Sequence, residues 1–135
     1  MDLHNHISVQ RAISPVVATD NTPLVSQIID RQGYDSLEFA ICTGTLADTD
    51  ATFTVLIEDG DDSGLSDNAA VADTELLGTE ADASFTFADD NGARKIGYRG
   101  AKRYVRMTIT PAANTGNAPI AAVAILGHGR KGPEA

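Results

Sequence analysis

Alternation with a period of two dominates this chain, and it confines the fold to sheets. In residues 36–43 (SLEFAICT) the apolar side chains Leu37, Phe39 and Ile41 fall at every second position. Residues 51–57 (ATFTVLI) repeat the pattern with Phe53, Val55 and Ile57, and residues 103–110 (RYVRMTIT) with Val105, Met107 and Ile109. Successive side chains of a strand point to opposite faces, so each run predicts a half-buried strand. Residues 120–126 (IAAVAIL) are apolar in both phases, which predicts a central strand or one covered on both faces. Shorter candidate strands lie at 6–9, 27–30, 83–87 and 94–98. Nothing shows a sustained helical period; residues 67–78 carry one helical turn at most.

Turn residues punctuate these runs at 32–35, 46–50, 59–64, 88–92, 100–102 and 112–119. Asp90-Asn91-Gly92 is the sharpest hairpin signal, because Asn-Gly tolerates positive φ at low cost. About eight strands at this spacing predict an all-β fold, an antiparallel two-sheet sandwich or jelly roll. A chain of 135 residues fits one domain, here residues 1–135. Residues 1–22, with Pro15, read as an extended arm lying along the domain or a neighbour. Residues 127–135 read as a loose tail.

The core has to be aliphatic. Aromatic residues make up 5% of the chain and Trp is absent, so Val, Ile, Leu, Ala and four Phe must fill it. The single cysteine, Cys42, cannot form an intrachain disulfide; its apolar neighbours Phe39, Ala40 and Ile41 suggest a small buried residue. No apolar run approaches the roughly 18 residues of a membrane span, and residues 1–6 lack the features of a signal peptide. The formal net charge of −9 opposes contact with nucleic acid or anionic membranes.

That charge is segregated. Thirteen of the nineteen acids lie between Asp48 and Asp90, and six of the ten basic residues between Arg94 and Arg106. Such halves suit complementary surfaces, within one fold or between subunits. Arg94, Lys95, Arg99, Lys102, Arg103, Tyr104 and Arg106 are therefore the candidate protein interface, since Arg pairs well with carboxylates across contacts. Aromatic residues among basic ones also suit single-stranded nucleic acid, but the net charge disfavours it.

Catalytic and metal signals are weak. His4 and His6, with His128 at the far end, are read as terminal histidines rather than zinc ligands. Asp59, Asp61 and Ser63 match the first half of a calcium loop, yet Ala70 stands where its bidentate Glu belongs. The adjacent acids Asp61-Asp62 and Asp89-Asp90 point apart on turns, unlike a hydrolase pair. No Gly-x-Ser-x-Gly elbow or phosphate loop occurs. The expectation is a chain with no cofactor, no catalytic residues, and no pocket gathering Asp or Glu with His128.

Several segments together resemble a known family. These are residues 32–36 (QGYDS), 51–55 (ATFTV) with the acidic turn at 59–63, 76–79 (LLGT), 96–106 (IGYRGAKRYVR) and 121–128 (AAVAILGH). Their order resembles the capsid cement or decoration proteins of tailed phages, jelly-roll proteins of the type seen in the Bordetella phage. The resemblance spans residues 33–128 and is most specific at 97–106. It implies a non-enzymatic oligomer, dimer or trimer, made in the host cytoplasm and carried on the capsid exterior. There it would bridge neighbouring major capsid subunits. The resemblance does not assign the contact residues; an arm and exposed cations suit such a contact, so residues 1–22 and the basic strands are expected to carry much of it. Rival readings are a head–tail connector or tail component, or a calcium-dependent carbohydrate-binding sandwich.

Overall fold

The computed structural model describes residues 2–129. Two antiparallel sheets stack face to face. The first has the order β1 (Ile7–Ala18), β11 (Ala118–Gly129), β4 (Tyr34–Thr43), β9 (Ala93–Tyr98) and β7 (Leu76–Leu77). The second centres on β10 (Tyr104–Ala112) and β5 (Thr52–Gly60). Short strands complete it: β2 (Leu24–Val25) and β3 (Ile29–Asp30) pair with β10, and β6 (Ala69–Ala70) and β8 (Phe85–Thr86) pair with β5. The expected two-sheet sandwich is thus present, with six long strands and five two-residue ones.

The alternating residues build the core as their phase requires. Leu37, Phe39 and Ile41 of β4 are buried, as are Phe53, Val55 and Ile57 of β5 and Val105, Met107 and Ile109 of β10. Phe53 stacks on Phe85 with ring centroids 4.9 Å apart. Ile120, Ala122, Ala124 and Leu126 of β11 face inward too. Among the described residues nothing covers its other face, with Ala121, Val123 and Ile125, so there β11 is central in its sheet but buried on one side only.

Five expectations need correction. Cys42 is exposed, because it lies out of phase with Leu37, Phe39 and Ile41 and so points away from the core. The segment read as an arm contains β1, which pairs along its length with β11 from Ile7↔Gly127 to Ala18↔Ala118. Bulges after Arg11 and Ile13 break its alternation, which hides the strand in the sequence. Residues 127–129 of the expected tail belong to β11, while 130–135 lie outside the described residues. Asn91 does turn with φ of 50°, but it joins no hairpin: β8 pairs with β5, and β9 with β4 and β7. The 83–87 candidate is divided among a short helix α1 (Glu80–Ala83), β8 and a 3-10 turn.

One buried polar contact ties the sheets together. Tyr98, 1% exposed on β9, donates its hydroxyl to Asp59 Oδ2 on β5 at 2.6 Å and accepts the backbone N–H of Lys102 at 3.0 Å. Burial first, and the hydrogen bond to Asp59 second, push the phenol well above its usual pKa, so it stays a donor. Buried Arg31 lies over the Tyr98 ring at 5.0 Å and donates to the carbonyls of Lys102 (2.8 Å) and Gly100 (3.0 Å). Removing the hydroxyl alone strands a buried carboxylate. Tyr98→Phe should therefore lower the unfolding free energy by about 1–3 kcal/mol; urea denaturation of both proteins measures it, and an unchanged midpoint would show that the contact contributes nothing.

Candidate functional site

The basic residues expected to form an interface do not form one patch. Arg94 on β9 donates to the carbonyls of Asp82 and Ser84 and pairs with Asp89 at 3.4 Å. Lys102 pairs with Asp61 at 3.1 Å. Arg106 pairs with Glu58 at 2.8 Å on the outer face of the second sheet, where Arg106 and Glu58 are directly opposite. Arg103 holds Asp30 with both Nε and Nη2 and stacks on Tyr104, 4.9 Å from the ring centroid. Arg99 donates to the Thr74 carbonyl at 3.1 Å. The segregated charges thus meet largely within the fold: Asp89, Asp61 and Glu58 come from the acidic segment. The exposed pairs, Lys102 with Asp61 and Arg103 with Asp30, stabilise by at most about 1 kcal/mol each. Lys95 differs, since it stands on the outer face of the first sheet opposite Ala40.

The acidic loop is likewise occupied by its own backbone. Asp59 is turned inward to Tyr98 and Asp61 outward to Lys102, so with Ser63 they do not converge. Asp67 accepts the N–H groups of Asp61 and Asp62, and Asp62 those of Gly64 and Ser66. These donors hold the carboxyls of Asp62 and Asp67 below the usual range. Among the described residues no group of three His, Cys, Asp or Glu is arranged to hold a metal ion. No helix among them is long and apolar enough to cross a membrane.

The feature that local sequence patterns missed is the outer face of the first sheet. Register defines its rows. One row crosses all five strands as Val9, Ile125, Glu38, Gly97 and Leu77. The next runs Arg11, Val123, Ala40 and Lys95, and beyond it stand Ala121, Cys42 and Ala93. Val17 and Pro119 close the far end. Val9 is 57% exposed, Val17 51%, Leu77 50% and Val123 37%. This is a wide apolar surface of small and branched side chains with three charges on it. The outer face of the second sheet is more polar, with Thr52, Thr54, Glu58, Arg106, Thr108 and Thr110, although Leu56 and the edge residue Val25 are also exposed there.

At one end of the first face the chain forms a cavity of about 820 Å³. Its floor is Ile125, Glu38 and Leu77, and the 3-10 turn His4–His6 with Leu3 and Ile7 walls one side. Contrary to expectation, it gathers Asp2, Asp35 and Glu38 with His6 and His128. Glu38 lies across Gly97: a Cβ at Gly97 would stand 2.6 Å from Glu38 Oε1 and 2.9 Å from Leu77 Cβ. Burial raises the Glu38 carboxyl, and Lys95 offsets this only partly. Ser36 Oγ bonds His128 Nδ1 at the rim. Serine nucleophiles use such a contact, but they also need an acid orienting the far imidazole nitrogen and donors for the oxyanion. Neither accompanies Ser36 and His128 among the described residues.

No family model and no curated protein matches the chain. Solved structures do match in fold. The PBSX exported protein XepA superposes with a TM-score of 0.59 at 13% identity, over 91% of this chain and 38% of that one. The structure of infectious bursal disease virus Gx strain superposes with a TM-score of 0.51 at 12% identity, over 94% of this chain and 33% of that one. The chain therefore spans about a third of the length of each. At these identities the likeness is one of fold.

The raised Glu38 carboxyl has a consequence for stability. A carboxyl whose folded pKa exceeds its unfolded value favours folding fully below the unfolded pKa, and that contribution is lost as pH rises through the folded pKa. Glu38→Gln should thus be more stable than the parent at neutral pH, with the difference shrinking as pH falls through the raised folded pKa and gone below the unfolded one. Thermal melts across that pH series measure it; a Gln variant less stable at neutral pH would show that Glu38 has a stabilising partner.

Proposed function

We propose that this chain is a non-enzymatic structural protein of a phage particle, which binds the capsid exterior and bridges neighbouring major capsid subunits. The observation that carries this reading is the contrast between the two sheet faces. A wide apolar face without cover is unusual on a lone soluble domain and marks a contact surface. The first sheet has such a face, whereas the second carries mainly threonines and the Arg106–Glu58 pair, with Leu56 and Val25 as its exposed apolar residues.

The sequence resemblance to capsid cement proteins supports the phage setting, and the likeness in fold to XepA and to a virus structure agrees with it. The contact is assigned to the first sheet rather than to the basic strands, whose cations are mostly engaged within the fold. Weak contacts repeated over a lattice hold tightly through avidity. Copies of the chain associate as a dimer or trimer under closed symmetry. Nothing in this role calls for catalysis.

Charges placed on the first face should break the contact without touching the core. Val9→Glu combined with Val123→Glu should leave the circular dichroism spectrum unchanged and reduce occupancy on capsids that lack the chain by at least about tenfold. A sedimentation assay with purified capsids reads the bound fraction. Full occupancy by the double variant would refute this use of the face.

A further inference from the structure

Glu38 is the anomaly of the first face. Its row is otherwise Val9, Ile125, Gly97 and Leu77, so a carboxylate stands at the centre of an apolar band. It is half-buried, and its carboxyl has no hydrogen-bond or ion-pair partner among the described residues. The nearest cation, Lys95, acts on it only at a distance. A partly desolvated charge without a partner is unfavourable, and a cation brought against it relieves that cost.

We propose that the cavity over Glu38 receives the side chain of a basic residue presented by a protein partner. An apolar stem with a cationic head matches what the cavity offers. Leu3, Ile7, Leu77 and Ile125 supply apolar walls, with Leu3 71% exposed and Leu77 50% exposed in the free chain. Long basic side chains lay their methylenes along such walls while the head seeks a counter-charge. The head meets Glu38, which lies in the space that the missing Gly97 side chain leaves open. Charge points the same way: Arg99, the lysine or arginine lining the cavity, has its guanidinium held on the Thr74 carbonyl rather than on Glu38. The volume of about 820 Å³ also admits the backbone from which such a side chain projects. The cavity opens on the face assigned above to the contact, but the inference rests on the surroundings of Glu38 alone and holds whether or not the partner is a capsid subunit.

The test is a titration of the isotopically labelled full chain, read by backbone amide chemical shifts. The probe is Nα-acetyl-lysine methylamide; the control is the norleucine analogue, with a similar stem and no charge. Saturable shifts are expected at Ser36, Glu38, Gly97 and Gly127, with the lysine probe binding about tenfold tighter than norleucine. Glu38→Gln should remove that preference, and its own spectrum reports whether the fold is kept. Leu77→Ala, at an exposed position, should weaken both probes alike. Equal binding of the two probes, a lysine preference that survives Glu38→Gln, or no saturable shift at these residues would each overturn the proposal.

Discussion

The two sheets of this protein are locked by a buried polar bridge, and the placement of its surfaces follows from that lock. Asp59 belongs to one sheet and Tyr98 to the other, while Arg31 covers the tyrosine ring and grips the turn that follows it. An aliphatic core is tolerant of sliding, because branched side chains of similar volume repack at small cost. A buried hydroxyl–carboxylate contact is directional, and losing it leaves a desolvated charge. It therefore fixes how β9 sits over β5. That in turn sets the loop between β9 and β10, so that Lys102 reaches Asp61 and Arg103 reaches Asp30.

With the sheets fixed, the charge distribution becomes intelligible. The acid-rich and base-rich segments lie next to each other in sequence and fold onto each other, through Arg94 with Asp89, Lys102 with Asp61 and Arg106 with Glu58. What remains of the net charge of −9 is directed mostly away from the outer face of the first sheet, which has only Arg11, Glu38 and Lys95 along its two main rows. Like charges would oppose crowding of copies on a lattice. A nearly neutral, apolar face avoids that repulsion where contact is closest.

Much of the fold was legible in the sequence. In β4, β5 and β10 the period of two identifies both the strand and its buried phase, because nothing interrupts the alternation. The failures have physical causes. At Cys42 a run of apolar neighbours outweighed phase, and phase decides which side of a sheet a residue takes. In β1 two bulges reset the phase, so the strand lacked its signature. The apolar outer positions of β11 suggested a second covering layer that the described residues do not supply. The cavity had no local signature, since residues 2–7, 35–38, 97–99 and 125–129 meet there only through sheet register. Glu38 did give a hint, as an acid flanked along its strand by outward Ser36 and Ala40 in a mostly apolar stretch.

The account assigns opposite roles to the two faces of one sandwich: contact for the first sheet, exposure to solvent for the second. A cryo-electron-microscopy map of an intact particle containing this chain would read both directly. The expected map shows copies spread over the shell, with β11 and β4 turned toward the major capsid subunits and β10 and β5 turned outward. Density with the first sheet facing solvent, or copies confined to the portal or tail, would contradict it.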